Sequence, residues 1–142
     1  MPKTMIWKRS ITLDKLNEMF ADSLVGHLGI VLTKLGDDEL EATMPVDVHT
    51  RQPMGLLHGG AAAALVETLG SVAAYLCTEG DAQVAGLELN ISHMQAAKNG
   101  VVRGVCRPLR IGRRHQVWEV RIFSQENELC YVGRLATVVM AG

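Results

Sequence analysis

The run from Gly59 to Cys77 constrains this chain more than any other segment. It reads Gly-Gly-Ala-Ala-Ala-Ala-Leu-Val-Glu-Thr-Leu-Gly-Ser-Val-Ala-Ala-Tyr-Leu-Cys, and Glu67 is its only charge. Such a run is too long for a strand, and apolar on too many sides for a surface helix. It predicts a buried helix whose small side chains let a neighbouring element come close. The length approaches that of a membrane span. Glu67, Thr68 and Ser71 interrupt it, and no second span accompanies it, so a helix packed between sheets or subunits is expected. A carboxylate there is costly unless it is paired or used.

The remaining elements are arranged around this helix. Ile11 to Phe20 reads as a short amphipathic helix, with Thr12 as N-cap and Leu13, Leu16 and Met19 on one face. Two strands are expected next, Leu28 to Leu35 and Glu39 to Val46, with a turn at Gly36-Asp37-Asp38. Leu40, Ala42, Met44 and Val46 alternate with Glu41 and Thr43, as in a half-buried strand. A polar loop from His49 to His58 delivers the chain to Gly59. Gly80 is read as the stop signal of the long helix. Four further strands follow: Val84 to His93, Val101 to Leu109 after Asn99-Gly100, Gln116 to Phe123, and Leu129 to Met140 after Gln125-Glu126-Asn127. In the first of these Leu87, Leu89, Ile91 and His93 are expected on one face. The order gives an α+β domain over residues 1–142, an antiparallel sheet wrapped around one long central helix.

Composition removes several function classes. The net charge of −1 gives no electrostatic footprint for nucleic acid. Aromatics are only 4%, too few for a base-stacking surface. Cys77, Cys106 and Cys130 have no paired spacing and read as reduced thiols of a cytosolic protein. The first ten residues lack the apolar core of a signal peptide, and no membrane association is expected. The five histidines have no metal-ligand spacing, so no metal and no cofactor is expected. There is no Gly-x-Ser-x-Gly elbow, P-loop or dinucleotide fingerprint.

The segment Gln52-x-x-Gly55-x-Leu57-His58-Gly59-Gly60, followed by Glu67 and Ser71, resembles the hotdog-fold acyl-thioesterases. More narrowly, it is similar to the branch of 1,4-dihydroxy-2-naphthoyl-CoA hydrolases and enterobactin proofreading thioesterases. The resemblance also runs through Met5-Ile6-Trp7-Lys8-Arg9, Glu41 to Asp47, Val102 to Cys106 and Gly112-x-Arg114-His115-Gln116-Val117-Trp118. The four residues before Met5 look like an extension. The resemblance implies a hotdog fold and thioester hydrolysis, with an aromatic acyl-CoA as the best substrate guess. The leading candidate is 1,4-dihydroxy-2-naphthoyl-CoA in menaquinone synthesis, and an aryl carrier-protein arm is the alternative. It implies that Glu67 is the catalytic carboxylate. Gln52, His58 and Gly59 would bind and polarise the carbonyl, and Ser71 would assist near the attacking water. Substrate and CoA contacts are implied at Gly86, His93, Met94, Gln95 and Ala96, and at Arg110, Ile111, Gly112, Arg113, Arg114 and His115. Gln95 stands where relatives often carry a basic residue. Val72 is small and leaves room for a pantetheine arm.

The chemistry needs these residue types. Attack on a thioester makes an oxyanion, and a backbone N–H at a helix N-terminus can stabilise it. Gly59 is placed there, without a side chain to block approach. Glu67 can attack the carbonyl or take a proton from water, and the sequence leaves both routes open. Ser71 is one turn further on the same face. Gly59 and Glu67 lie roughly 12 Å apart along one helix, from its 1.5 Å rise per residue. Hence they cannot serve one carbonyl in one chain. A dimer is expected, with antiparallel helices side by side and shared active sites; family members often pair such dimers into tetramers.

Other readings stay open. His58 can contact the carbonyl or order the loop. His93 can be structural or touch substrate. Arg110, Arg113 and Arg114 form either a solvated loop or a cradle for CoA phosphates, with Arg103 and Arg107 on a strand face nearby. The rival functions are a hydratase, a non-catalytic acyl-CoA-binding protein and a structural module.

Overall fold

The computed structural model describes residues 5–140. The suggested extension before Met5 lies outside them. Helix α1 (Leu13–Phe20) begins at Thr12, whose hydroxyl accepts the Lys15 N–H at 3.1 Å. Leu16 is its fully buried anchor. Asn17 fastens the helix to the sheet: its side chain donates to the Leu32 carbonyl and accepts the Leu32 N–H.

A short helix, α2 (Leu24–His27), occupies chain that had been expected to lead directly into a strand. Ser23 caps its start. Gly29, at φ +74°, ends it: the Gly29 N–H reaches the Gly26 carbonyl and the Ile30 N–H reaches the Val25 carbonyl. This paired pattern around a left-handed glycine is a Schellman stop. The strand therefore starts at Val31 rather than Leu28.

The strands are β1 (Val31–Leu35), β2 (Leu40–Pro45), β3 (Gln83–His93), β4 (Val101–Ile111), β5 (His115–Phe123) and β6 (Leu129–Met140). They form one antiparallel sheet in the order β1-β2-β4-β5-β6-β3. The long helix, α3 (Gly59–Leu76), lies across its inner face. Leu65, Val66, Leu69 and Ala73 are fully buried there. Two sheet glycines let the helix settle this deeply. A Cβ on Gly104 would stand 2.7 Å from Leu69, and one on Gly133 would stand 2.7 Å from Val66. The expected wrapping of a sheet around one helix is thus the observed architecture. By length and hydropathy α3 could cross a membrane, but more than half of it is buried against its own sheet.

The N-terminal segment closes the far end of α3. Trp7 stacks on Trp118 with ring centroids 6.1 Å apart. The Lys8 and Arg9 N–H groups both donate to the Leu76 carbonyl. The helix ends at Leu76 with Cys77 as its cap, so Gly80, at φ +62°, shapes the following loop and is not the stop itself. Cys77, Cys106 and Cys130 are free and buried, and burial pushes the Cys77 thiol up to about 11.

Among the described residues, strand β3 has a neighbour on one side only, β6. A bulge between Gly86 and Glu88 interrupts its alternation, so the expected single face from Leu87 to His93 is broken at Leu87. Leu87 is 57% exposed and Leu89 37%. The sheet's outer face carries Glu39, Glu41, Arg103, Arg107, Glu119 and Arg121, which line a cleft of about 550 Å³. These charges largely satisfy one another: Glu41 with Arg103, Glu39 with Arg107 and Lys34, Glu119 with Arg121.

Candidate active site

Three hollows follow one another along the exposed stripe of α3. The first sits at its N-terminus, holds about 280 Å³, and is lined by Gln52, Leu56, Leu57, Gly59, His93, Met94, Gln95, Ala96 and Tyr131. Six of the expected site residues meet here: Gln52, Gly59, His93, Met94, Gln95 and Ala96. The loop that supplies Gln52 is tied down by its own turns. Buried Thr50 accepts the Asp47 N–H and donates to the Pro45 carbonyl. The Gln52 side-chain oxygen accepts the Met54 N–H at 2.6 Å and the Leu56 N–H at 3.3 Å. That leaves the amide NH₂ as the end able to donate elsewhere.

His58 is the N-cap of α3: its Nδ1 accepts the Gly60 N–H at 2.7 Å. A neutral ring accepting at Nδ1 carries its proton on Nε2, so its remaining polar atom is a donor. His58 is exposed and lies just outside the first hollow's lining. The Gly59 N–H has no partner among the described residues, as expected for the first helical amide. A Cβ on Gly59 would stand 2.8 Å from the His93 ring. His93 is held in turn edge-on against Tyr131, at 4.7 Å between ring centroids. Gln95 is engaged by Glu128 at 3.0 Å.

The second hollow, about 360 Å³, lies between α3 and β3. It is lined by Gly60, Ala63, Ala64, Glu67 and Gly86 to Leu89. Glu67 is only half-buried, because this stripe of the helix faces the open β3 edge of the sheet and not the middle of its inner face. It makes no hydrogen bond or ion pair among the described residues, so the Ser71 hydroxyl does not pair with it here. A Cβ on Gly86 would stand 3.0 Å from Glu67 Oε1, so glycine makes room for the carboxylate.

The third hollow, about 350 Å³, is almost wholly apolar. Leu16, Met19 and Phe20 of α1, Ser71, Val72 and Tyr75 of α3, and Gln83 and Val84 of β3 line it. Ser71 and Val72 thus sit one turn and more beyond Glu67. Sequence reasoning missed Tyr131, Tyr75, Met19 and Gln83 as lining residues; each is an ordinary helix or strand residue until the fold brings it here.

The Arg110–His115 hairpin does not join the first hollow. It adjoins the start of β3, where Gln83 pairs with Met140 and His115 with Val138. His93 is at the other end of β3, roughly 33 Å away at 3.3 Å per strand residue. Arg110, Arg113 and Arg114 are exposed and have no ion-pair partner among the described residues. Arg103 and Arg107, by contrast, are engaged by Glu41 and Glu39 on the outer face and do not belong to this hairpin. Among the described residues no cluster of His, Cys, Asp and Glu is arranged to hold a metal ion.

Known proteins share this fold and much of this sequence. Residues 54–131 match the model of the thioesterase superfamily. The chain is 56% identical over 136 residues to the 1,4-dihydroxy-2-naphthoyl-CoA hydrolase of Escherichia coli (strain K12), covering 96% of this chain and all of that one. It is 54% identical over 136 residues to the proofreading thioesterase EntH of Cronobacter sakazakii, covering 96% of this chain and 99% of that one. The crystal structure of thioesterase HI1161 from Haemophilus influenzae superposes with a TM-score of 0.94 at 46% identity, covering 96% of this chain and 95% of that one. Sheet, central helix and sequence agree, and the chain belongs to the thioesterase superfamily as a hotdog-fold thioester hydrolase.

Proposed function

We propose that this protein hydrolyses aromatic acyl-CoA thioesters at sites shared between two copies of the chain, with Glu67 as the catalytic carboxylate. The observation that carries this is Glu67 itself: half-buried, unpaired among the described residues, and set in a groove beside a glycine that makes room for it. The Gly59 N–H and the Gln52 amide would hold the thioester oxygen, and His58 Nε2–H would add a third donor. The negative charge that develops on that oxygen suits the positive end of α3. Glu67 would either attack the carbonyl, expelling the CoA thiolate and leaving an anhydride for water to cleave, or take the proton of a water that attacks. Both routes consume one water and yield the acid and the thiol. Ser71, one turn beyond, would orient that water.

Gly59 and Glu67 of one chain are too far apart to serve one carbonyl. The open edge of β3 offers the remedy, since an unpaired edge with exposed leucines invites a second strand. A Cβ on Gly59 would meet His93, and one on Gly86 would meet Glu67, so each pair is adjacent. Antiparallel pairing of β3 with its copy, centred at Leu89–Asn90, sets His93 of one chain opposite Gly86 of the other. Gly59 then faces the partner's Glu67. The same pairing brings the Arg110–Arg114 hairpin towards the partner's first hollow, and so reunites residues that one chain keeps apart. We take the assembly to be a dimer or a pair of dimers, built from single-domain chains in the cytosol.

The free arginines favour CoA over a carrier-protein arm, because CoA carries several phosphates and the arm only one. Val72 stands among apolar side chains, which suits the wall of an acyl pocket better than a passage for pantetheine. By the name of its Escherichia coli relative, 1,4-dihydroxy-2-naphthoyl-CoA of menaquinone synthesis is the first substrate to try. The test is thiol release from aromatic and aliphatic acyl-CoAs by wild type and Glu67→Gln. Aromatic turnover that falls at least a thousandfold in a folded mutant supports the reading, on the scale of losing a nucleophile or base. Equal turnover in both removes Glu67 from the chemistry.

A further inference from the structure

Tyr75 lines the third hollow, and it is held by a residue of the N-terminal segment. The Arg9 guanidinium carbon lies 4.0 Å from the centre of the Tyr75 ring. The same side chain donates to the Tyr75 carbonyl at 3.1 Å, to Thr78 Oγ1 at 3.1 and 3.3 Å, to the Gly80 carbonyl at 2.9 Å and to the Ala82 carbonyl at 3.3 Å. Its backbone N–H joins Lys8 on the Leu76 carbonyl. The Tyr75 and Leu76 carbonyls belong to the C-terminus of α3, where a cation is also favoured by the helix dipole, and Thr78, Gly80 and Ala82 belong to the loop that follows it. The last turn of a helix frays readily when it is left without such partners. Tyr75 lies in that last turn and is only half-buried.

We propose that Arg9 is a positioning residue for acyl selection: it clamps the end of α3 and presses on the Tyr75 ring, which fixes that ring as the end wall of the acyl pocket. The inference rests on the hydrolase reading above. Tyr75 is two turns beyond Glu67, roughly 12 Å along the helix axis. An acyl group reacting at Glu67 and running past Ser71 and Val72 meets this ring. A pocket of about 350 Å³ with a fixed wall accepts a neutral apolar group of limited length. With Arg9 gone the ring is free to swing and the pocket deepens.

The experiment measures kcat/KM for benzoyl-CoA, 2-naphthoyl-CoA and biphenyl-4-carbonyl-CoA with wild type, Arg9→Met, Arg9→Lys, Tyr75→Ala and the Arg9→Met/Tyr75→Ala double variant. The readout is the ratio of the longest to the shortest substrate. That ratio does not depend on the fraction of enzyme folded, so a weakened fold cannot imitate the effect. Tyr75→Ala should raise it about tenfold or more and Arg9→Met about fivefold, in the range of small shape changes in an apolar pocket. Arg9→Lys, which keeps the charge but loses the fork, should fall between wild type and Arg9→Met. Because Arg9 acts through Tyr75, Arg9→Met should add nothing in the Tyr75→Ala background. A ratio within twofold of wild type in Arg9→Met overturns the inference, as does an Arg9→Met effect that persists undiminished without the ring. If wild type cleaves none of the three, the aromatic acyl-CoA reading falls first and takes this one with it; cleavage with a constant ratio removes this one alone.

Discussion

Replacing Gly86 with alanine should separate catalysis from stability. The added Cβ would lie 3.0 Å from Glu67 Oε1 and 3.3 Å from Oε2, whereas ordinary contact begins at 3.4 Å. The backbone at Gly86 is not in the left-handed region, so alanine fits it without strain. The conflict is with the tip of a flexible side chain, which yields at little cost. The carboxylate therefore shifts by about half an ångström while the fold stays intact. A misplacement of about 1 Å costs roughly a hundredfold in rate, so half that costs about tenfold, or about 1.4 kcal/mol of barrier. Stability should hold or rise, because alanine in a strand is favoured over glycine by about 0.5–1 kcal/mol. Steady-state kinetics beside thermal unfolding checks both. A kcat within twofold of wild type in the folded variant would refute the placement of Glu67 at the reacting centre.

Two further substitutions probe other parts of the account. His58→Ala removes the cap on the Gly60 N–H and should cost about 1 kcal/mol of stability; His58→Asn should restore the stability but not the lost activity, and if it restores both, the ring's Nε2–H is not a carbonyl donor. On the outer face, hydrogen bonds from Lys34 and then Arg107 hold the Glu39 carboxyl below its ordinary 4.5. A group lowered on folding stabilises above its unfolded value and loses that contribution as pH falls through its folded one. Wild type should therefore exceed Glu39→Gln in unfolding free energy at pH 7, and the gap should shrink below pH 4.5. A gap that stays constant from pH 7 to pH 3 would contradict it.

The parts of the fold legible in the sequence were those with a local cause. Thr12 caps α1 because its side chain competes for a nearby N–H, and Leu129–Met140 alternates because one face is buried. Helix α3 was legible from its run of small apolar residues. Helix α2 was missed because its stop signal, Gly29, sat inside an apolar stretch that also read as a strand. The bulge at Gly86–Glu88 was missed for a similar reason: local alternation continues through it, and only the pairing with β6 shows the extra residue. In the site, Gly59 and Glu67 stood out by chemistry or by position on the helix, and Gln52 through the family resemblance alone. Tyr75, Gln83 and Tyr131 did not, because their roles come from contacts between residues distant in sequence.

The shared site is the central claim, and subunit mixing tests it directly. Gln52→Ala and Glu67→Gln proteins, each inactive or nearly so, would be unfolded, mixed in equal amounts and refolded together. In a mixed dimer, one site receives intact Gln52 from one chain and intact Glu67 from the other, while the second site receives both lesions. Random two-fold pairing then predicts recovery of about a quarter of wild-type activity. Activity no greater than the sum of the two separate variants would mean that Gln52 and Glu67 of the same chain serve one substrate, contradicting the account.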